Sequence, residues 1–210
     1  GIEEIPVLAR EGAIVPLKNM EVFDNNTDNP KSLEIKIFPG KTGSFTLWED
    51  EGDCVEESWV ETKLEKAQEE GKDCFIIHSP QGNTAVLPEK RCWKLDFVKI
   101  NENTVSVLVD GKETAYKATV EKNDMCIEIT EVPVNAEIKV VFENPIEVSL
   151  ADLAQEAYAI LEKAQISYNL KSDLYEIIKE QQKGAIATLA SMELEPAMFG
   201  ALCEILTAEK

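Results

Sequence analysis

Three kinds of chemistry can be sought in this chain by residue type and spacing: paired carboxylates, a nucleophile beside a base, and a metal site. Acid–base work by paired carboxylates needs two of them held in a set geometry, but with 40 Asp and Glu residues along the chain a pair found in sequence discriminates nothing. The single histidine, His78, sits in the strand-like run CFIIHS just before Pro80. A catalytic role would need a His/Ser or Cys/His arrangement around it, and the run reads instead as a strand ending in a histidine at the edge of a sheet. Asp24, Asn26 and Asp28 alternate as in the first half of a calcium loop, yet Asn29 replaces the glycine and Ile35 falls where the bidentate glutamate belongs. That segment reads as an Asx-rich turn before Pro30. The acidic turn from Glu49 to Asp53 is rich in oxygen ligands and reads as a hydrated loop. No catalytic residue, metal ligand or cofactor is therefore assigned.

Five cysteines, Cys54, Cys74, Cys92, Cys126 and Cys203, form an odd set without a CxxC pair. They suggest neither a zinc knuckle nor a fully paired disulfide framework and read as reduced thiols of a cytoplasmic protein. Three of them lie in apolar runs (DCFIIHS, RCWKLDF, MCIEITE), where cysteine acts as a small hydrophobe. The glycosylation-like triplet Asn25-Asn26-Thr27 is then a chance match.

Binding chemistry is carried by the tryptophans, because β-sandwich modules stack exposed aromatic rings against the apolar face of a pyranose. Trp93 alternates with Leu95 and Phe97 and is expected to point inward. Trp48 and Trp59 flank the acidic turn and are the expected exposed pair, a candidate sugar-binding site, with packing within a hairpin as the structural alternative. A formal net charge of -19 repels phosphate backbones and anionic headgroups, which argues against nucleic-acid and membrane partners and leaves a neutral sugar compatible. No apolar stretch approaches the roughly 20 residues of a membrane span, and no basic then apolar segment opens the chain. It begins at Gly1 in mid-pattern, as a piece of a longer protein would.

The elements that must position these residues change character once. From Ile5 to about Phe142 short runs of period two follow one another, among them IPVLA, LEIKIF, SFTLWED, WVETKLEKA, CFIIHS and IKVVF. Turn signals at Pro39-Gly40, Gly71, Gln81-Gly82-Asn83 and Asp110-Gly111 separate them, which predicts an antiparallel sandwich rather than a βαβ sheet. After Pro145 the apolar spacing becomes helical: Leu150, Leu153, Ala154, Ala157, Leu161 and Ala164 in a first helix starting near Ser149 and Asp152. Leu174, Ile177 and Ile178 predict a second, capped by Asn169 or Ser172, and Phe199, Leu202, Ile205 and Leu206 a third after Pro196. The fold class is thus mainly β with an α tail, an antiparallel β-sandwich followed by a small helical bundle.

Two segments carry a family resemblance. IPVLAREGAIVPL, residues 5 to 17, resembles a strand-turn-strand of glycoside hydrolase family 31 α-glycosidases. LEIKIFPGKTGSFTLWEDEGD, residues 33 to 53, is similar to the start of that family's distal C-terminal sandwich, with Trp48 where Tyr is frequent and Glu51 where Asp is frequent. QGNTAVLPEKRCWKLDFVKI, residues 81 to 100, looks like later strands of the same domain, so the resemblance spans the first two thirds of the chain. In the hairpin of the second segment, Pro39, Gly40 and Gly43 break the strand. Phe45 and Leu47 are expected to return inward, and Glu49, Asp50, Glu51 and Asp53 to be solvated.

The resemblance implies closing strands of a proximal β-domain in residues 1 to 31, a distal β-sandwich in 32 to 144, and a helical tail in 145 to 210. It also implies a parent that cleaves α-linked glycosides with two aspartates on a catalytic barrel upstream of Gly1, and no catalytic residue of this chain. The expected partners are that catalytic barrel, an oligosaccharide, and a second copy in a homo-oligomer. The severed first strands would pair with another copy or fold back on the distal sandwich.

Overall fold

The computed structural model describes residues 9–19, 28–52, 58–121, 124–148 and 152–207. The chain divides into two compact units, Gly1–Ser149 and Leu150–Lys210, each with its own apolar core. Of the expected strand IPVLA, only Ala9 falls among the described residues.

In the first unit the period-two runs become strands β1 (Ile14–Lys18), β2 (Ser32–Ile37), β3 (Gly43–Asp50), β4 (Trp59–Glu69), β5 (Lys72–Ile77) and β6 (Gln81–Gly82). They continue as β7 (Lys90–Phe97), β8 (Val105–Val109), β9 (Lys112–Glu113), β10 (Lys117–Glu121), β11 (Asp124–Pro133) and β12 (Ile138–Phe142). One sheet runs β1-β2-β7-β11-β10; the other runs β3-β4-β5-β12-β8-β9, with β6 added beside β4. Alternation decides the inner faces: Leu33, Ile35 and Ile37 of the first sheet and Leu64, Phe75, Ile77, Val107, Ile138 and Val140 of the second are all buried in one core. Phe97 bridges the layers, its ring edge-on to Phe75 at 5.9 Å and to Phe142 at 5.0 Å, the geometry aromatic quadrupoles favour.

Among the described residues the ladders are antiparallel with one exception. β2 and β7 run parallel, with Leu33, Ile35 and Ile37 beside Trp93, Leu95 and Phe97. The chain leaves β2 for the opposite sheet, and β7 takes the remaining edge of β2 in the register that sets two inward apolar triplets side by side. On its other edge β2 pairs antiparallel with β1, from Ile14 opposite Ile37 to Lys18 opposite Leu33, so Ile14–Lys18 folds back onto the sandwich.

The two segments that carried the family resemblance meet at glycines. Gly12 donates its amide to the Pro39 carbonyl at 2.6 Å. A Cβ on Gly12 would lie 2.1 Å from the Thr42 carbonyl oxygen, and one on Gly43 would lie 1.9 Å from that of Gly12. Lys66 closes this end of the sandwich. It is buried, donates to the Phe38 carbonyl at 3.0 Å and to that of Gly40, and burial pushes its ammonium below the ordinary value of 10.5 against the opposing pull of Asp73 and Glu11.

The second unit holds α1 (Leu153–Lys163), α2 (Tyr168–Gln181), the short α3 (Ala185–Ala190) and α4 (Pro196–Thr207). Leu161, Leu174, Ile178, Leu189, Leu202 and Leu206 form its core. Asp152 caps α1, accepting from Ala154 and Gln155 amides at 3.1 Å, while Ser149 lies outside the described residues. The cap of α2 is Ser167, not Asn169 or Ser172: its hydroxyl accepts from Leu170 at 3.3 Å. The apolar stripe of α2 begins with Leu170, which packs on the core a turn before Leu174, so both expected caps fall inside the helix. Among the described residues no helix is long and apolar enough to cross a membrane.

Candidate functional site

The hairpin of β3 and β4 places Trp48 and Trp59 on the outer face of the larger sheet. Register sets Trp48 opposite Glu61 and Trp59 opposite Asp50, so these four side chains share one face and Val60, Thr62 and Leu64 fill the other. The two indoles touch, with centroids 4.9 Å apart and planes at 44°. They stay 59% and 43% exposed, so each keeps ring surface free of the other. Trp93 is buried, as the alternation predicts.

Both indoles are held from behind. Glu49, between Trp48 and Asp50 but facing inward, forms a two-pronged ion pair with Arg91 of the opposite sheet, at 3.0 Å to Nη1 and 2.7 Å to Nη2. Arg91 Nε donates to the Pro30 carbonyl at 2.9 Å, and the guanidinium lies 5.5 Å from the Trp93 ring centroid. The expectation that Glu49 is solvated is therefore corrected: the strand alternation that exposes Trp48 turns Glu49 into the sandwich, where only a charged partner could keep it. Phe45 and Leu47 do share the inward face, but β3 is an edge strand, and Phe45 stays 39% exposed. Asn29 ties the neighbouring backbone together, donating to the Asp50 and Val86 carbonyls, each at 2.9 Å.

On the other side of Trp59 the two-residue strand β6 pairs with β4, setting Gln81 opposite Glu61 and Gly82 opposite Val60. Asn83 donates its main-chain N–H to the Trp59 carbonyl at 2.9 Å. Gly82 has φ +110, and a Cβ there would lie 2.5 Å from the same carbonyl oxygen. Trp48, Glu61 and Gln81 thus form a row across three strands with Trp59 beside it. Sequence reading missed Glu61 and Gln81; the alternation of WVETKLEKA placed Glu61 on the Trp59 face, but the brief pairing of β6 left no periodic signal.

The remaining chemistry-bearing residues stand elsewhere. His78 Nε2 is 3.1 Å from Glu65 and its Nδ1 3.7 Å from Glu137, so its partners among the described residues are carboxylates rather than a nucleophile. Lys63 first, and His78 second, hold the Glu65 carboxyl below its usual range. Among the described residues no cluster of three His, Cys, Asp or Glu is arranged to hold a metal ion. Cys74, Cys92, Cys126 and Cys203 are free thiols, and burial raises the pKa of Cys74 and of Cys126. Cys54, Asp24 and Asn26 lie outside the described residues. A depression of about 380 Å³ is lined by Asn101, Glu102, Asn103, Asn144, Pro145 and Glu147, but the Asn103 amide is already spent on the Asn144 and Pro145 carbonyls.

No family model matches the sequence, and no curated protein does. Solved structures do match the fold. A glycoside hydrolase family 31 dextranase from Flavobacterium johnsoniae, solved as a variant with isomaltotriose and also with glucose, matches with a TM-score of 0.50 at 17% identity over 63% of this chain. An α-1,4-glucan lyase from Gracilariopsis lemaneiformis, solved as a covalent intermediate complex, matches with a TM-score of 0.50 at 14% identity over 66% of this chain. The chain spans 19% of the length of the dextranase and 16% of that of the lyase. Its fold is related to part of the fold of family 31 glycoside hydrolases.

Proposed function

We propose that this chain is a non-catalytic accessory region of a family 31-type retaining α-glycosidase, the closing C-terminal β-structure and tail that support a catalytic barrel. The observation that carries the reading is the fold likeness, which takes up a domain-sized share, 19% and 16%, of two far longer sugar-processing enzymes. The motifs at residues 5 to 17 and 33 to 53 support it, because the glycines they contain meet in one tight contact. The parent cleaves α-linked glycosides, and the free thiols favour a cytoplasmic setting. The barrel is then the chief partner, and exposed edge strands and the helical unit offer surfaces for a second copy.

The test is an assay of the purified chain with isomaltotriose, maltotriose and 4-nitrophenyl α-glucoside. The expected result is no release of glucose or nitrophenol above the buffer rate; saturable release would overturn the non-catalytic reading.

A second reading, a carbohydrate-binding sandwich, is favoured by one observation: two adjoining tryptophans that remain 59% and 43% exposed. Large aromatic rings left in water on a sheet face are costly to keep there, and they suit the apolar face of a sugar ring.

A further inference from the structure

We infer that Trp48, Trp59, Glu61 and Gln81 form one binding surface for a neutral pyranose of an oligosaccharide, in which the indoles take the apolar face of the ring and Glu61 and Gln81 take its hydroxyls. The inference rests on the carbohydrate-binding reading and names its ligand class and polar partners.

Charge pairing along β4 points to the carboxylate. Three acidic side chains project outward from this strand in the described structure at positions 61, 65 and 69. Glu65 is bonded to Lys63 at 2.7 Å and to His78, and Glu69 is paired with Lys139. Glu61, the one beside the indoles, has no hydrogen bond or ion pair to any described residue, and neither does the Gln81 side chain opposite it. Each carboxylate oxygen of Glu61 accepts hydrogen bonds and donates none, so two adjacent hydroxyls of one sugar can bond to it together. Gln81 adds an amide that both donates and accepts.

Ring geometry fixes the scale. A centroid separation of 4.9 Å makes the indoles one surface rather than two independent subsites. Adjacent strands are roughly 4.8 Å apart, so hydroxyls at the rim of a stacked ring come within reach of β4 and β6 side chains. Charge selects the ligand: Glu61 and Asp50 share the face and the chain carries a net charge of -19, so a uronic acid is repelled where a neutral sugar is not.

The experiment is titration calorimetry of the whole chain with isomaltotriose and maltotriose up to about 10 mM, with tri-galacturonic acid as the acidic probe. Variants Trp48→Ala, Trp59→Ala, Glu61→Gln and Gln81→Ala are compared, after circular dichroism confirms that each keeps the sandwich. Saturable binding of a neutral trisaccharide is expected, weakened about tenfold or more by loss of either indole and about tenfold by Glu61→Gln. The acid is expected to stay silent, and equal affinity for it would overturn the neutral assignment. If Trp48→Ala abolishes binding while Glu61→Gln and Gln81→Ala leave it unchanged, the carbohydrate reading stands and the assigned polar partners fall. If no neutral sugar binds the folded chain, both fall, and the accessory-domain reading is unaffected.

Discussion

Glu49 and Arg91 hold opposite charges in contact with 6% and 1% of their side chains exposed, across the two sheets of the sandwich. Removing either partner leaves the other charge buried and uncompensated, so Glu49→Ala or Arg91→Ala is expected to cost roughly 3–5 kcal/mol in urea unfolding. Replacing both by apolar residues, Glu49→Leu with Arg91→Met, is expected to recover most of that loss. Lys66 titrates in the opposite sense from a paired lysine, because its folded value lies below 10.5. In the window beneath 10.5 the unfolded chain binds more protons than the folded one, so the Lys66 contribution to stability rises with pH. Lys36, Lys94 and Lys139 have raised values, and their contributions are lost above 10.5 instead. Comparison with Lys66→Arg cancels those groups, and the wild-type chain is expected to gain on the variant as pH rises toward 10.5 in denaturant titrations. The burial of Trp93 was legible from two-residue alternation, and the exposure of Trp48 and Trp59 from their place beside the acidic turn. The burial of Glu49 followed from the same alternation, but an acidic cluster beside a glycine reads as a wet turn until Arg91, 42 residues away, is brought to it.

At the scale of elements, the short strand β6 props Trp59, and a glycine permits the approach. Gly82→Ala places a methyl group 2.5 Å from the Trp59 carbonyl oxygen at a φ of +110. The variant is expected to detach β6 from β4, shift the tryptophan emission and lower stability by about 1–3 kcal/mol. Asp152→Ala removes a two-bond helix cap and is expected to cost about 1 kcal/mol of the helical transition, read by circular dichroism at 222 nm. Most strands were legible because their inward residues repeat every second position. The parallel pairing of β2 with β7 was not, since no local pattern distinguishes a parallel from an antiparallel neighbour when both faces alternate alike. The cap of α2 was missed because Leu170 lengthens the apolar stripe by one turn toward Ser167.

The whole molecule carries two separate apolar cores, one in Gly1–Ser149 and one in Leu150–Lys210. A chain ending at Ser149 is expected to keep the β-type circular dichroism and cooperative unfolding of the sandwich; loss of both would mean that the helices are required for its fold. A helical unit of this size, cut free, is expected to be marginal, because small domains bury a smaller fraction of their surface. The β2–β7 pairing has a further consequence for synthesis. Lys36 and its β7 neighbour Asp96 are 60 residues apart. At roughly 5–20 residues per second, a ribosome makes the partner strand about 3–12 s after β2 has formed. Through that interval Leu33, Ile35 and Ile37 wait without the Trp93, Leu95 and Phe97 triplet that flanks them in the finished sheet. Nascent chains stalled short of Phe97 should therefore need a chaperone, and the dependence should end only once β11 and β12, which add Ile127, Ile129, Ile138 and Val140 to the same core, have also been made.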